Sequence, residues 1–556
     1  MPRSRTELAS LAGPLAAYLL LILLVRPWGD YPLNDDWIYA RIGKRFAEAG
    51  RFVFDHDTGA AFIGQGVMAA PVIRLLGFSH THLRSLTMLL GALILYLLWL
   101  LLRYAGVQPS IRAAALLTVV WNPLFGYLSF SFMTEIYAYF FALLGAVVWL
   151  RDRRGHSEGP LVSWGGAMAA ALLVGLGFWI RQYSVLMFPA LLGSLLPAGW
   201  QRVRASVPRL AASCLIFAAT VAAYFVFART MAEVPMGDYS HRLGRMWPVN
   251  IGASLLQMGI FLIYMTAFLL PLLLLTAKRW SRRMLPVVLA IALLGAGSAF
   301  VLLQTPPHLN LQPRFPFLGN VINDAGVGPV LLPDVKFREQ AGPAWPKPVW
   351  GSIECLLLAA NVLWVFVIFA APSTIRKRGL KAELLLMAVL FSLASLAVTT
   401  VVDRLAAFDR YYLPEVFGLT LALAVILSSA PRIYPLRFAA ALLPLAFFTT
   451  AGLHDYFRWN DAAWDLYRQA IHSGIAPASI DAGYEMNGWY NYTQSLSRPA
   501  PVGNCEPEWA CIDDEYRLGM HGFPHYTPIA QQQPSYWLAP GPPVTLSRRA
   551  SSGSPW

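Results

Sequence analysis

The chain has 556 residues, of which 57% are hydrophobic and only 13% are charged. A soluble protein of this length carries about twice that charged fraction. The composition therefore excludes an ordinary soluble protein, and runs of about twenty apolar residues predict a polytopic membrane protein. The net charge of +13 would suggest nucleic acid as a partner in a soluble chain, but here the basic residues fall between the apolar runs, where they act as topology signals.

The first apolar run follows a basic N-terminal stretch, "MPRSRTELAS", as it would in a secretory signal peptide. It ends in "RPWGDYP", which contains no small-residue cleavage site. We therefore expect this run to be retained as the first membrane span.

The apolar runs predict thirteen membrane spans and an all-α transmembrane domain over residues 1–453. Alternate connections are short and rich in Lys or Arg, which places them and the N-terminus in the cytoplasm. The longer connections at 28–82, 229–249 and 304–349 are then the principal outer loops. The spans are predicted near 8–27, 83–103, 111–128, 136–150, 161–179, 184–199, 208–228, 251–277, 284–303, 350–371, 381–402, 413–430 and 436–453.

The first outer loop contains an amphipathic segment, "DDWIYARIGKRFAEAG". Ile38, Ile42 and Phe46 share one helical face, and basic residues occupy the opposite face. This pattern predicts a helix lying in the membrane interface. Asp35 and Asp36 stand at its start, where carboxylates can cap a helix and complement its dipole.

Residues 454–530 are too polar to cross a membrane and are predicted to form a small extracytoplasmic α/β domain. "NDAAWDLYRQAIHSG" predicts a helix, and "ASIDAGYEMNGWYNY" predicts a strand and a turn. A disordered Pro- and Ser-rich tail is expected over 531–556. Cys505 and Cys511 could form a disulfide if this region is extracytoplasmic, whereas Cys214 and Cys355 lie in apolar runs and are predicted to be core residues.

Several ionisable residues cluster at the predicted outer ends of spans. Glu135 lies in "FMTEIYAYF", Arg410 in "FDRYYLP", Arg84 in "HTHLRSLTMLL" and Arg181 in "FWIRQYS". Each has a structural interpretation, since a carboxylate at a span end can face water and arginines and tyrosines are common at interfaces. Arginines on the outer side nevertheless raise the question of which anion they bind.

Carboxylates and arginines at one membrane face suit the chemistry of a lipid-linked phosphosugar. Its polyprenyl tail stays in the bilayer, and arginine is the preferred bidentate partner of its phosphate. A carboxylate can take the proton of an acceptor hydroxyl as that hydroxyl attacks the anomeric carbon. Aromatic side chains can line the sugar pocket.

Four motifs resemble those of the GT-C superfamily of polyprenyl-phosphate-sugar-dependent glycosyltransferases, particularly its protein O-mannosyltransferase and aminoarabinose-transferase-like branch. They occur along the chain in the same order as in the family. Residues 35–39 read D-D-x-x-Y where the family has D-E-x-x-Y, and "FMTE" stands for F-M-T-D. "DRYYLP" is similar to the R-Y-x-x-P element before a late span, and Arg84 matches an arginine that precedes the second span. The resemblance covers roughly residues 1–200 and 400–415.

The resemblance implies an inverting sugar transfer from a polyprenyl phosphate to an acceptor hydroxyl, on the outer face of a bacterial inner membrane. It makes Asp35 the leading candidate for the general base. Asp36 and Glu135 would orient the acceptor or hold an optional divalent metal. The acceptor is a protein, a lipid or a polysaccharide, and no nucleic acid is expected.

The same resemblance assigns the substrate-binding residues. Arg84, Arg181 and Arg410 would bind the donor phosphate, and Tyr39 and Tyr411 would complete the substrate site. The histidines of the outer loops form no HxxxH or HExxH pair, so we predict no bound metal and no required cofactor.

Two other functions fit part of the pattern. A transporter or flippase of lipid-linked sugars places charges in the middle of spans and often has two related halves, whereas these charges lie at span ends and the halves do not match. A non-catalytic relative that binds sugars or a partner protein is the other alternative.

Overall fold

The structure is a computed structural model, and it describes residues 5–55, 58–156, 159–233, 250–276, 281–304, 311–333, 344–402, 408–428, 434–497, 501–503, 505 and 509–550. Most of these residues are helical, and a small sheet lies near the C-terminus. The predicted fold class is confirmed. Most of the loop 229–249 lies outside the described residues, as do His56, His241 and His308.

The helices and strands are numbered in chain order. The first nine helices are α1 Arg5–Val25, α2 Asp36–Ala49, α3 Ile63–Leu76, α4 His80–Tyr104, α5 Pro109–Val120, α6 Pro123–Ser129, α7 Thr134–Gly155, α8 Trp164–Phe178 and α9 Met187–Gly193. The remaining helices are α10 Trp200–Met231, α11 Ile251–Thr276, α12 Leu285–Leu303, α13 Lys347–Ala360, α14 Trp364–Arg376, α15 Leu380–Val402, α16 Leu413–Leu427, α17 Pro435–His472 and α18 Tyr484–Ser495. The strands are β1 Phe52–Val53, β2 Ala232–Glu233, β3 Ile322–Asn323, β4 Gly326–Val327, β5 Ile480–Asp481, β6 Tyr516–Gly519, β7 Tyr526–Gln532 and β8 Val544–Arg549.

The described part of the chain has ten helices long and apolar enough to cross a membrane, or eleven if α5 and α6 together count as one bent span. It is a multi-pass membrane protein. The predicted spans 161–179 and 184–199 correspond to shorter apolar helices. At 1.5 Å per residue the 15 residues of α8 rise only about 22 Å, less than the ~30 Å of a hydrocarbon core. The predicted number of thirteen is therefore not confirmed.

The bend between α5 and α6 is 66°. Pro123 begins α6, and the side-chain oxygen of Asn122 accepts hydrogen bonds from the backbone N–H groups of Leu124 and Phe125. These are the sequence features of a new helix start. The bent pair leads the chain to Phe132 and Glu135 at the start of α7.

The last long helix, α17, has 38 residues. The helix predicted over 460–474 is its continuation, so the domain boundary placed at residue 453 lies within one helix. Residues from Thr449 to Tyr467 are largely buried. This half of α17 connects the helical bundle to the C-terminal region.

The C-terminal sheet has the strand order β5-β6-β8-β7. β8 pairs antiparallel with both β6 and β7, so the prediction of a disordered tail is wrong for residues up to 550. On one face of β8, Val544 and Leu546 are buried and Arg548 is exposed, as in a strand that leaves a core. Cys505 and Cys511 are joined in a disulfide, as the sequence suggested.

Two other expectations are wrong. The stretch after Gly483, predicted as a turn, is the helix α18, because Gly483 takes a φ of 88° and turns the chain away from the short strand β5. Cys214 and Cys355 are exposed on the outside of the bundle, where an apolar helix face meets lipid rather than protein.

The amphipathic helix of the first loop is confirmed as α2. It ends at Gly50, whose φ of 67° is the left-handed C-cap conformation that glycine adopts most easily. Ile38 and Ile42 are buried against protein, with α3 and α18 as neighbours. The apolar face thus packs within the protein, which corrects the prediction that it lies in the membrane interface.

Candidate active site

The chain turns at Asn34, which has a φ of 52°, a conformation that Asn tolerates better than most residues. α2 begins at Asp36, so Asp35 occupies the N-cap position. Among the described residues, its side chain accepts no capping bond from the helix backbone. The prediction that Asp35 caps the helix is therefore wrong, and its carboxylate contacts residues from distant parts of the chain instead.

Asp35 forms an ion pair with Arg410. Its Oδ2 lies 3.0 Å from Nη2 of Arg410, and its Oδ1 accepts a hydrogen bond of 3.1 Å from the hydroxyl of Tyr484. The side chain of Asp35 is 21% exposed, whereas that of Arg410 is only 7% exposed. Nε and Nη1 of Arg410 have no hydrogen-bond partner among the described residues, so donors remain for an anion.

Glu135 forms a second ion pair, with Arg181. Nη2 of Arg181 lies 3.4 Å from Oε1 of Glu135, and Nη1 donates a hydrogen bond of 2.6 Å to the hydroxyl of Thr134. Neither carboxylate oxygen of Glu135 has a close hydrogen-bond partner within the described ranges. This buried carboxylate is thus held mainly by charge and retains acceptor capacity.

The ring of Tyr411 joins the two ion pairs. The guanidinium carbons of Arg181 and Arg410 lie 5.3 Å and 5.5 Å from its centroid, which is within the range of cation–π attraction. Asp35, Arg410, Tyr411, Arg181 and Glu135 therefore form one contiguous group, which we call the acid–arginine cluster. Sequence analysis placed all five in the site, and the structure brings them together.

Tyr39, also predicted in the site, is buried in α2. Burial, and then the negative charge of Asp35, raise the pKa of its hydroxyl. Glu135 also raises this pKa, whereas Arg181 and Arg410 lower it. A neutral Tyr39 is a hydrogen-bond donor beside the acid–arginine cluster at all ordinary pH values.

Asp36 is buried beside Asp35. Its Oδ2 accepts a hydrogen bond of 3.0 Å from the backbone N–H of Phe132, and Oδ1 has no partner in the described chain. Burial raises the pKa of this carboxyl to about 7. The bond from Phe132 ties the first loop to the segment that carries Glu135, so Asp36 acts as a positioning residue.

Arg84 directs its hydrogen bonds to the first loop rather than to the acid–arginine cluster. Its guanidinium donates hydrogen bonds of 2.8 to 3.0 Å to the backbone carbonyls of Pro27, Gly29 and Tyr31, and it is 1% exposed. These contacts hold the first loop in place and leave little of the guanidinium for a phosphate. The structure does not support the predicted role of Arg84 in phosphate binding.

Two residues of α18 belong to the site but were missed from the sequence. Tyr484 donates to Asp35, and Glu485 accepts a hydrogen bond of 3.0 Å from the backbone N–H of Asn34. Burial raises the pKa of Glu485 to about 7. The pattern "GYEMNGWY" repeats the acid-among-aromatics character of residues 31–39, which was the one available signal.

Asp409 was also missed. Its carboxylate accepts hydrogen bonds of 2.9 Å and 2.7 Å from the backbone N–H groups of Val321 and Ile322. These contacts fix the turn that presents Arg410. Only the neighbouring position in "DRYYLP" could have indicated it.

Within the described chain no three or more His, Cys, Asp or Glu residues are placed to hold a metal ion. The acid–arginine cluster pairs each carboxylate with an arginine, which is a poor donor set for a cation. The expectation that no metal is required stays a prediction.

One family model matches part of the chain. The family model described as Dolichyl-phosphate-mannose-protein mannosyltransferase matches residues 65–225, a segment that contains Arg84, Glu135 and Arg181. The predicted resemblance is thereby confirmed over that segment.

Two solved structures are similar over 98% of this chain and 99% of theirs, both at 13% sequence identity. One is ArnT from Cupriavidus metallidurans bound to undecaprenyl phosphate, with a TM-score of 0.41, and the other is the apo state of the same protein, with a TM-score of 0.37. No curated protein sequence matches the chain.

Proposed function

We propose that this protein transfers a sugar from a polyprenyl-phosphate donor to an acceptor hydroxyl on the extracytoplasmic face of a bacterial inner membrane. The observation that carries the proposal is the acid–arginine cluster, in which a partly exposed carboxylate pairs with a buried arginine. The family that matches residues 65–225 is named for a sugar on a polyprenyl phosphate, which supports the donor class.

The donor phosphate is bound by Arg410 and Arg181. The guanidinium carbons of both arginines lie within 5.5 Å of the centroid of the Tyr411 ring, and we propose that both bind the same phosphate group. The unpartnered Nε and Nη1 of Arg410 supply donors that need no rearrangement. Preorganised donors stabilise the negative charge that develops on the leaving phosphate.

Asp35 acts as the general base. The acceptor hydroxyl gives its proton to the Asp35 carboxylate while its oxygen bonds to the anomeric carbon. The bond from that carbon to the phosphate oxygen breaks, and its electron pair leaves with the polyprenyl phosphate. Attack opposite the leaving group inverts the anomeric centre. The hydroxyl of Tyr484 holds the carboxylate in place, and Glu135 and Asp36 position the groups around it.

The proposal is tested with purified protein in lipid nanodiscs, using polyprenyl phosphates that carry radiolabelled hexoses or aminosugars. With a cell-envelope fraction as acceptor, we expect label to leave the lipid and free polyprenyl phosphate to appear. In sealed proteoliposomes, label that crosses the bilayer while still attached to its lipid would instead establish a flippase.

A further inference from the structure

A cavity that shares no residue with the acid–arginine cluster lies between the first loop and the C-terminal region. Its volume is about 340 Å³, near the lower end of the range for small-molecule sites. The walls come from the first loop, the start of α4, the outer half of α17 and α18. The residues that matter here are Tyr31, Phe78, His80, Trp464, Trp489 and Tyr490.

The walls are two stacked aromatic pairs. The rings of Tyr31 and Trp464 are 5.8 Å apart and inclined by 9°, and those of Phe78 and Trp489 are 5.6 Å apart and inclined by 11°. Tyr490 is 44% exposed at the edge of the cavity. Interfacial aromatics at a membrane surface point toward headgroups, whereas Tyr31 and Trp464 here are almost fully buried.

His80 supplies an unsatisfied polar group. It is 5% exposed, its ring packs edge-on against Trp489, and neither ring nitrogen has a hydrogen-bond partner in the described residues. A buried polar group without a partner is costly. A ligand in the cavity that offers a hydroxyl group would satisfy it.

The rim of the cavity is polar. Arg468, 38% exposed, donates a hydrogen bond of 2.7 Å to the backbone carbonyl of Asp30. Aromatic rings beside several hydrogen-bonding groups suit a molecule that has both apolar C–H groups and hydroxyls. A pyranose ring has that form, with C–H groups on its faces and hydroxyls on its edge.

The helix α18 connects this cavity to the catalytic loop. Its first turn contacts the loop through Tyr484 and Glu485, and Gly488 packs on the ring of Trp37. The next residues, Trp489 and Tyr490, line the cavity. The two arginines proposed to bind the donor phosphate, Arg181 and Arg410, do not line this cavity.

We propose that this cavity, the aromatic cavity, binds a pyranose ring of the acceptor. That the bound pyranose belongs to the acceptor rests on the proposed function, whereas the binding of a pyranose does not. α18 then presents an acceptor hydroxyl from the aromatic cavity toward Asp35.

The test measures binding without turnover. Full-length protein in nanodiscs made of sugar-free lipids is mixed with the methyl glycosides of glucose, galactose, mannose and N-acetylglucosamine, and saturation transfer to each sugar is recorded by NMR. We expect transfer to the C–H groups of at least one pyranose. Tyr490→Ala should weaken binding about tenfold, which is about 1.4 kcal/mol.

Two further variants separate binding from fold. His80→Phe preserves the ring but removes both nitrogens, so it should weaken binding while the melting temperature stays close to that of the wild type. Trp28→Ala removes an aromatic of the same loop that is 47% exposed and does not line the aromatic cavity, and it should leave binding unchanged.

The outcomes distinguish the two proposals. Wild-type protein that transfers sugar but gives no saturation transfer to any pyranose overturns the aromatic cavity and leaves the proposed function standing. Equal weakening by Tyr490→Ala and Trp28→Ala also overturns it. Pyranose binding without any sugar transfer would remove the proposed function alone. Competition by a glucosyl diacylglycerol placed in the nanodisc identifies the pyranose as that of a lipid, and failure to compete identifies it as that of a water-soluble glycan.

Discussion

Arg410 contacts two other members of the acid–arginine cluster. It pairs with Asp35 and lies over the ring of Tyr411. Its guanidinium can serve a carboxylate and a phosphate together because its donors diverge in a rigid plane. A lysine would keep the positive charge but would lose this geometry.

Arg410→Lys should therefore lower kcat/KM for the polyprenyl-phosphate donor by about 100-fold or more. Arg45→Lys is the matched control, since Arg45 also pairs with an aspartate, Asp55, but is 32% exposed. Steady-state transfer rates at several donor concentrations measure both. A variant of Arg410 with wild-type kcat/KM would show that a single charge is sufficient.

The raised pKa of Asp36 predicts that the stability of the folded protein depends on pH. Burial raises the pKa of its carboxyl from an ordinary value of 3.8 to about 7, so the folded protein binds this proton more tightly than the unfolded chain does. The stability that results is present below about pH 4 and is lost as pH rises through about 7. Glu485 acts in the same direction.

In Asp36→Asn the side-chain oxygen can still accept from Phe132, but nothing titrates. The melting temperature of the variant, measured in nanodiscs between pH 4.5 and 7.5, should rise relative to that of the wild type as pH increases. A difference that is constant across this range would mean that Asp36 is not buried in an uncharged state.

Local motifs identified Asp35, Glu135 and Arg410 because each lies in a short pattern at a span end. Tyr484 and Glu485 could not be found in this way, since about 450 residues separate them from the loop they contact. The hydrogen-bond partners of Arg84 could not be predicted for a related reason. The sequence shows an unusual arginine, but not the three carbonyls that surround it.

At the scale of elements, the decisive contact is that of α18 on α2. A Cβ atom at Gly488 would lie 2.3 Å from the ring of Trp37, which is rigid and buried. Gly488 is therefore needed for close approach of the two helices, and through them for the contacts of Tyr484 and Glu485.

Gly488→Ala should force the helices apart, with a loss of about 1–3 kcal/mol of stability and a lower transfer rate. Gly522→Ala is a suitable control because a Cβ there meets nothing within 4 Å. Thermal melting and transfer rate are measured on both. If Gly488→Ala matches its control in both, the docking of α18 does not position Asp35.

The elements themselves were predicted unevenly. α2 was found because its apolar residues recur at helical spacing and Gly50 ends it. α18 was missed because its aromatic residues favour strands, whereas contacts with α2 hold it as a helix. β8 was missed because its Pro- and Ser-rich surroundings resemble a disordered tail. In the structure it forms a strand by pairing with β6 and β7.

At the scale of the whole molecule, the distribution of basic residues predicts the topology. The disulfide between Cys505 and Cys511 suits the extracytoplasmic side predicted for the C-terminal region. The number of spans was less predictable, since hydropathy does not distinguish a full span from a short buried helix such as α8.

The orientation can be tested with a membrane-impermeant maleimide on intact cells, in a background where Cys214 and Cys355 are replaced by Ala. Ser473→Cys, exposed just after α17, should be labelled without permeabilisation. Gln108→Cys, exposed between α4 and α5, should be labelled only after it. The reverse pattern would place the acid–arginine cluster on the cytoplasmic side.

The central claim is that Asp35 takes the proton of the acceptor, and the most direct measurement is sugar transfer from a radiolabelled polyprenyl-phosphate sugar by Asp35→Asn. The exposed Glu48 of the same helix provides the control variant Glu48→Gln. We predict that Asp35→Asn lowers the transfer rate by about 100-fold to 10,000-fold while Glu48→Gln retains it. Wild-type transfer by Asp35→Asn would contradict the account.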